Sequence, residues 1–203
     1  MANNVNTPWG LQPYQRKGSS EYRANATVYS VAAATTNALF LGDPVIKITA
    51  AADATYGYDK VNLATAGTSN LITGVIVGFL GTSPNGAFFA NSGTPGPMYK
   101  ATNATALQWV MVDDDPNSLF VVQCTGTPAA TVVGRNTKLV SGNGNKVTGW
   151  SGWQCSATVG TGSTEQLQIV GFEQEVDNVI GNKFPKLIVR INQSTEGLAA
   201  TGI

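Results

Sequence analysis

The sequence predicts an all-β protein: a β-barrel or jelly-roll-like sandwich with an extended N-terminal arm and little helix. Three observations carry this. Short runs rich in Val, Ile, Leu and Phe recur between Gly-, Pro- and Asn-bearing breaks along the 203 residues, as strands joined by turns do. No window of a dozen residues repeats apolar side chains at the helical period. Charged residues make up only 12% of the chain, against about 25% in an average soluble protein, so Asn, Thr, Ser and Gln must supply the polar surface. About ten strands at such short spacing imply a closed barrel or a sandwich.

Residues 1–25 read as the arm, and 26–203 as a single β-rich domain. Pro8 and Pro13 interrupt any helix there, and Trp9, Leu11 and Tyr14 stand out in an otherwise polar segment. Such a segment cannot form a core of its own. It is either a loose terminus or a strap laid across a neighbour, with its large apolar side chains as anchors. Beyond it, Thr27–Val31 alternates, and Leu39–Leu41 and Val45–Thr49 flank a Gly42-Asp43-Pro44 corner. The β-branched run Leu71–Phe79 reads as a buried strand whose Gly74 and Gly78 mark a bulge or a close backbone approach. Gly81–Pro97 is a long loop by composition, and Phe88 and Phe89 in its middle are either a satellite cluster or a partner contact. Leu107–Val112 and Leu119–Cys124, joined by Asp113–Ser118, predict a hairpin. Later runs predict strands within 137–140, 153–159, 165–172 and 186–192, the third alternating as a strand with one wet face does. Residues 129–137 are the best helical candidate.

The chain holds twelve basic and twelve acidic residues. That balance leaves no basic footprint for nucleic acid and little self-repulsion to keep copies apart. Histidine is absent, which removes the commonest general base, the commonest transition-metal ligand and any Ser–His or Cys–His pair. Cys124 and Cys155 lack a CxxC spacing and read as two buried free thiols, with a disulfide between them as the alternative. The N-terminus has no basic stretch followed by an apolar core, so no secretory signal is expected, and the three Asn-x-Ser/Thr sequences are chance matches. The apolar run Leu71–Leu80 is far too short to span a membrane.

Asp113-Asp114-Asp115 lacks the alternate spacing of a calcium loop and reads as a turn cap. Glu173, Glu175 and Asp177 share one face of a strand end; a glycosidase pair is conceivable there, a solvated strand end is the plainer reading. Gly149-Trp150-Ser151-Gly152-Trp153 lacks the spacing of a nucleophile elbow, and its tryptophans are core or sugar-stacking residues. No catalytic site, metal or cofactor is expected. A non-catalytic protein that binds copies of itself or another protein is.

Several phrases resemble a known family. Asn6-Thr7-Pro8-Trp9-Gly10-Leu11-Gln12-Pro13 resembles the opening of tailed-bacteriophage head proteins of the decoration, or cement, type. Leu41-Gly42-Asp43-Pro44-Val45, Ile72–Phe79, Val112–Pro116, Asp177–Gly181 and Leu187–Asn192 are similar to later phrases of the same family, in order along most of the chain. The resemblance implies a protein made in the bacterial cytoplasm and carried on the outer capsid surface, as homotrimers that bridge subunits of the major capsid protein. It implies no nucleic-acid, membrane or small-molecule partner. Trp9, Leu11, Tyr14, Phe88 and Phe89 are the contact candidates, read from apolar content rather than from the family. A tail or fibre-base protein, and a carbohydrate-binding module using Trp150 and Trp153, are the alternatives.

Overall fold

In the computed structural model, which describes residues 4–18, 26–48, 52–84 and 99–197, the apolar runs become thirteen strands and no described residue is helical. A six-stranded sheet runs in the order β1 (Gln12–Arg16), β9 (Ser118–Gln123), β13 (Lys186–Ile191), β12 (Leu167–Phe172), β10 (Asn136–Val140) and β11 (Gln154–Gly160). A five-stranded sheet runs β2 (Ala26–Val31), β8 (Gln108–Asp113), β6 (Gly74–Gly81), β4 (Pro44–Lys47) and β5 (Val61–Leu63). β3 (Leu39–Phe40) and β7 (Tyr99–Lys100) form a small third sheet. The antiparallel sheets pack as an all-β sandwich, and single bridges at Ser30–Lys60 and Cys124–Cys155 tie β2 to the start of β5 and the end of β9 to β11.

Alternation builds the layers. In β12, Leu167 and Ile169 are fully buried while Gln168 and Val170 face outward. They join Phe120, Val122, Leu139, Trp153, Leu187 and Val189 of the same sheet, and Ile72 and Val75 beside the other, in one apolar cluster. A second cluster, with Tyr29, Val31, Val45, Val110 and Val112, belongs to the five-stranded sheet, and Leu63 packs against both. Full burial of one such aliphatic side chain contributes about 1.5–3 kcal/mol. One buried polar side chain pins the packing. Gln166 accepts hydrogen bonds from the Gly67 and Leu139 amides and donates to the Thr65 and Asn70 carbonyls, which engages both ends of its carboxamide.

The strand expected at Leu71–Phe79 is β6 from Gly74 onward, with Ile72, Val75, Ile76 and Phe79 buried and Leu71 exposed. The β6–β8 register shifts at Ile76/Gly78, and a Cβ on Gly74 would come within 2.3 Å of the Asp113 carbonyl oxygen. Two expectations are corrected. The strands flanking Asp113–Ser118 do not form a hairpin: β8 pairs with β2 and β6, whereas β9 pairs with β1 and β13. The connector is an arch that carries the chain from one sheet to the other. Ser118 Oγ bonds the buried Asp113 carboxylate at 2.8 Å, and the Asn117 amide bonds Asp115 Oδ1 at 2.8 Å. The helical candidate at 129–137 is instead a pair of turns closed by Val132 N–H to Ala129 and Arg135 N–H to Val132, followed by the start of β10. Val132 is buried, and Gly134, at φ +86°, breaks any helical path.

The segment read as an arm is extended, but its described part is built into the sandwich. β1 is an edge strand paired antiparallel with β9, Gln12 opposite Val121. Just before it the chain crosses the Gly42 corner, where the Leu11 amide bonds the Gly42 carbonyl at 2.9 Å. Gly10 and Gly42 both have positive φ, and a Cβ on Gly10 would meet Gly42 O at 2.4 Å and Ser151 Cβ at 2.5 Å. Gly10→Ala is therefore expected to destabilise by well over 1 kcal/mol. Gly18→Ala meets the same positive φ with nothing within 4 Å and should cost less. Equal urea midpoints for the two variants would contradict this crossing.

Candidate functional site

The N-terminal segment forms one wall of the site. Its residues are tied down by amide side chains from distant parts of the chain. Gln123, 2% exposed, donates to the Val5 carbonyl at 2.8 Å and accepts from the Thr7 amide at 3.0 Å. Asn4 makes a two-way pair with the Val179 backbone, at 3.1 and 2.8 Å. The opposite wall is the 143–152 loop. It is fastened to the Leu41 backbone by Leu41 N–H to Gly149 O and Ser151 N–H to Leu41 O, both 2.9 Å, and rooted by Trp153, which is 2% exposed. Between these walls lies an open cleft of about 730 Å³.

Two indoles border the cleft. Trp150 is 40% exposed. Trp9 is half-buried, and the Lys186 ammonium sits 5.6 Å from its ring centroid. Lys186 and Trp9 also line a second, smaller cleft. Lys186 also bridges Glu175, Asp177 and, at 3.9 Å, Glu173. Partial burial works against its charge, but the Glu175 and Asp177 carboxylates outweigh that and raise its pKa. Glu173 is itself raised, by burial first and by Glu175 second. The three acids are thus an ion-pair cluster around one lysine, just beyond the end of β12.

The Gly42 corner holds a second unusual group. Asp43 is 2% exposed, and its Oδ2 accepts the Phe40 amide at 2.8 Å, while Oδ1 has no hydrogen-bond partner among the described residues. Burial pushes its carboxyl up to about 7, against the opposing pull of Ser151 and the Phe40 amide. It borders a cavity of about 320 Å³ next to the 142–146 turn.

The other acidic group is a turn cap, as read. Asp114 accepts from Thr27 Oγ1 and the Tyr29 hydroxyl, and Asp115 pairs with Arg16 at 2.9 Å. Among the described residues no three His, Cys, Asp or Glu side chains gather as a metal site. Cys124 and Cys155 are free and buried, facing each other across an isolated bridge between strands. Their mutual hydrogen bond, the largest effect on each, pulls the Cys124 thiol down and pushes Cys155 up.

The five contact candidates separate. Trp9 borders the cleft, and Tyr14, 39% exposed, projects from edge strand β1. Leu11 is corrected: it is 0% exposed and packs in the inter-sheet cluster with Phe120 and Leu187, so it faces no partner. Phe88 and Phe89 lie outside the described residues. The Trp150/Trp153 pair also splits, the first at the cleft and the second in the core. Sequence reading missed Asn6, Gln12, Asn143 and Asn145, which line the cleft beside the indoles. Their one signal was the density of Asn and Gln around Trp9 and Trp150. Comparison of the chain with protein-family models, curated proteins and solved structures returned no match.

Proposed function

We propose that this chain is a non-catalytic structural component of a bacteriophage virion, a decoration protein that binds the outside of the major capsid shell as a homotrimer and stabilises it. The observation that carries this reading is the open edge strand β1. Its outer side pairs with no other described strand, it presents Tyr14, and it lies in a chain with almost no net charge to repel a partner. A free edge bearing an exposed aromatic suits strand addition to a neighbouring subunit, with main-chain hydrogen bonds for affinity and the ring for register. The phrases that resemble head proteins also converge in space. Asn4, just before the first phrase, binds Val179 of the 177–181 phrase, and Leu11 of the first crosses Gly42 of the second. Such convergence supports one family pattern better than scattered chance matches would.

Co-sedimentation with expanded, undecorated heads of the cognate phage tests the proposal. The expected result is saturable pelleting at a fixed ratio to the major capsid protein, weakened at least tenfold by Tyr14→Asp with the circular dichroism spectrum unchanged. Absence of pelleting, with copurification on tails, would replace the capsid reading by a tail one.

A further inference from the structure

We propose that the cleft between the N-terminal segment and the 143–152 loop binds a neutral oligosaccharide. The inference is separate from capsid attachment. It uses the Trp9 end of the segment, whereas Arg16 at the other end of β1 sits beside the Asp115 arch.

The lining chemistry selects the ligand. None of the described residues that border the cleft is charged, so among them phosphates, carboxylates and cations find no counter-charge. What the walls offer is two indoles and a set of carboxamides. The apolar C–H face of a pyranose ring stacks on an indole, and Trp150 and Trp9 supply such surfaces from the two walls. Sugar hydroxyls both donate and accept, and a carboxamide offers both functions as well.

The carboxamides are held in place. Asn6 Oδ1 accepts from Gln154 at 3.0 Å, which leaves its NH₂ to donate. Gln12 Nε2 donates to the Trp9 carbonyl at 2.9 Å, which leaves Oε1 to accept. Asn145 Oδ1 accepts the Val147 and Thr148 amides at 2.8 and 3.2 Å, again leaving an NH₂. Asn143 is exposed and makes no side-chain hydrogen bond to another described residue. Three fixed amides and one free one therefore present two donors, one acceptor and one adaptable group around the aromatic surfaces. The fastening of both walls to Gly42 and Leu41 keeps this array formed without ligand, and preformed sites lose less on binding. At about 730 Å³ the cleft falls within the roughly 300–1,000 Å³ typical of small-ligand sites.

The test is a panel of neutral soluble oligosaccharides, including maltohexaose, cellohexaose, chitohexaose and mannohexaose, titrated against the full chain by tryptophan fluorescence and calorimetry. At least one is expected to bind, with Trp150→Ala weakening it tenfold or more and Asn143→Ala about threefold to tenfold. Both side chains are exposed, so circular dichroism should be unchanged. Val170→Ala, on the outer face of β12, should bind as wild type. No binding across the panel, or undiminished binding by Trp150→Ala, would overturn the proposal. So would the finding, by analytical ultracentrifugation, that Trp150→Ala abolishes self-association while no sugar binds, since the occupant would then be a second copy. Capsid co-sedimentation of Trp150→Ala should equal wild type, so failure of one reading is distinguishable from failure of the other.

Discussion

Leu11→Ala should lower the stability of the whole domain by about 2–5 kcal/mol, although the residue lies in what reads as a detachable arm. Leu11 is 0% exposed and contributes to the cluster between the sheets. The site has little freedom to collapse onto the missing atoms. Gly10 is pressed against Gly42 on one side, and the β1–β9 ladder fixes the backbone on the other. A domain of this size typically has about 5–15 kcal/mol in total, so the loss is a large share of it. It should appear as a fall of about 4–20 °C in melting temperature. Tyr14→Ala, three residues on, should stay within about 0.5 kcal/mol. A Leu11→Ala protein that melts with wild type would mean the segment is undocked in solution, and β1 with it.

The second large effect is on pH dependence. The Asp43 carboxyl stands near 7 in the folded chain, because burial penalises its charge, against a reference of 3.8. The folded state therefore holds this proton more tightly than the unfolded one. The associated stability is complete below about pH 4 and is lost as pH rises towards 7, after which the curve flattens. Three units correspond to a cost on the order of 4 kcal/mol for the ionised form. Asp43→Asn keeps an acceptor for the Phe40 amide and cannot ionise. Wild type minus Asp43→Asn, from urea unfolding at pH 5 and pH 8, should therefore show the variant gaining by several kcal/mol at the higher pH. Parallel curves would show that Asp43 is hydrated or paired in solution.

What could be read from the sequence, and what could not, follows from which interactions are local. β12 was legible because its alternation is written in consecutive residues. The bulges of β6 were legible because Gly74 and Gly78 interrupt a β-branched run. The arch between β8 and β9 was not. Every residue of β9 is buried, so neither face carries the polar alternation that would tell a hairpin from a strand that changes sheets. The turns at 129–135 misled because small and β-branched residues next to a strand carry no distinct period. In the candidate site, the apolar weight of Trp9 was visible. The burial of Leu11 was not, because it depends on a crossing with Gly42 some thirty residues away in sequence. The same holds for Asp43: within a Gly-Asp-Pro corner it looks like an ordinary turn acid, and only the covering Phe40 and Ser151 make it a buried one.

The ties of the N-terminal segment have a consequence in time. Asn4 is secured by Val179 and Thr7 by Gln123, partners 175 and 116 residues further along the chain. On a ribosome adding about 5–20 residues per second, Asn4 waits for 175 further residues and Thr7 for 116 before the partner of each exists. β1 must likewise wait for β9, the described strand it pairs with, and until it closes, that edge of β9 stands open. In a crowded cell that interval is when another copy's leading strand can fill the vacancy. The N-terminal segment is thus a part of this protein that can be exchanged between copies.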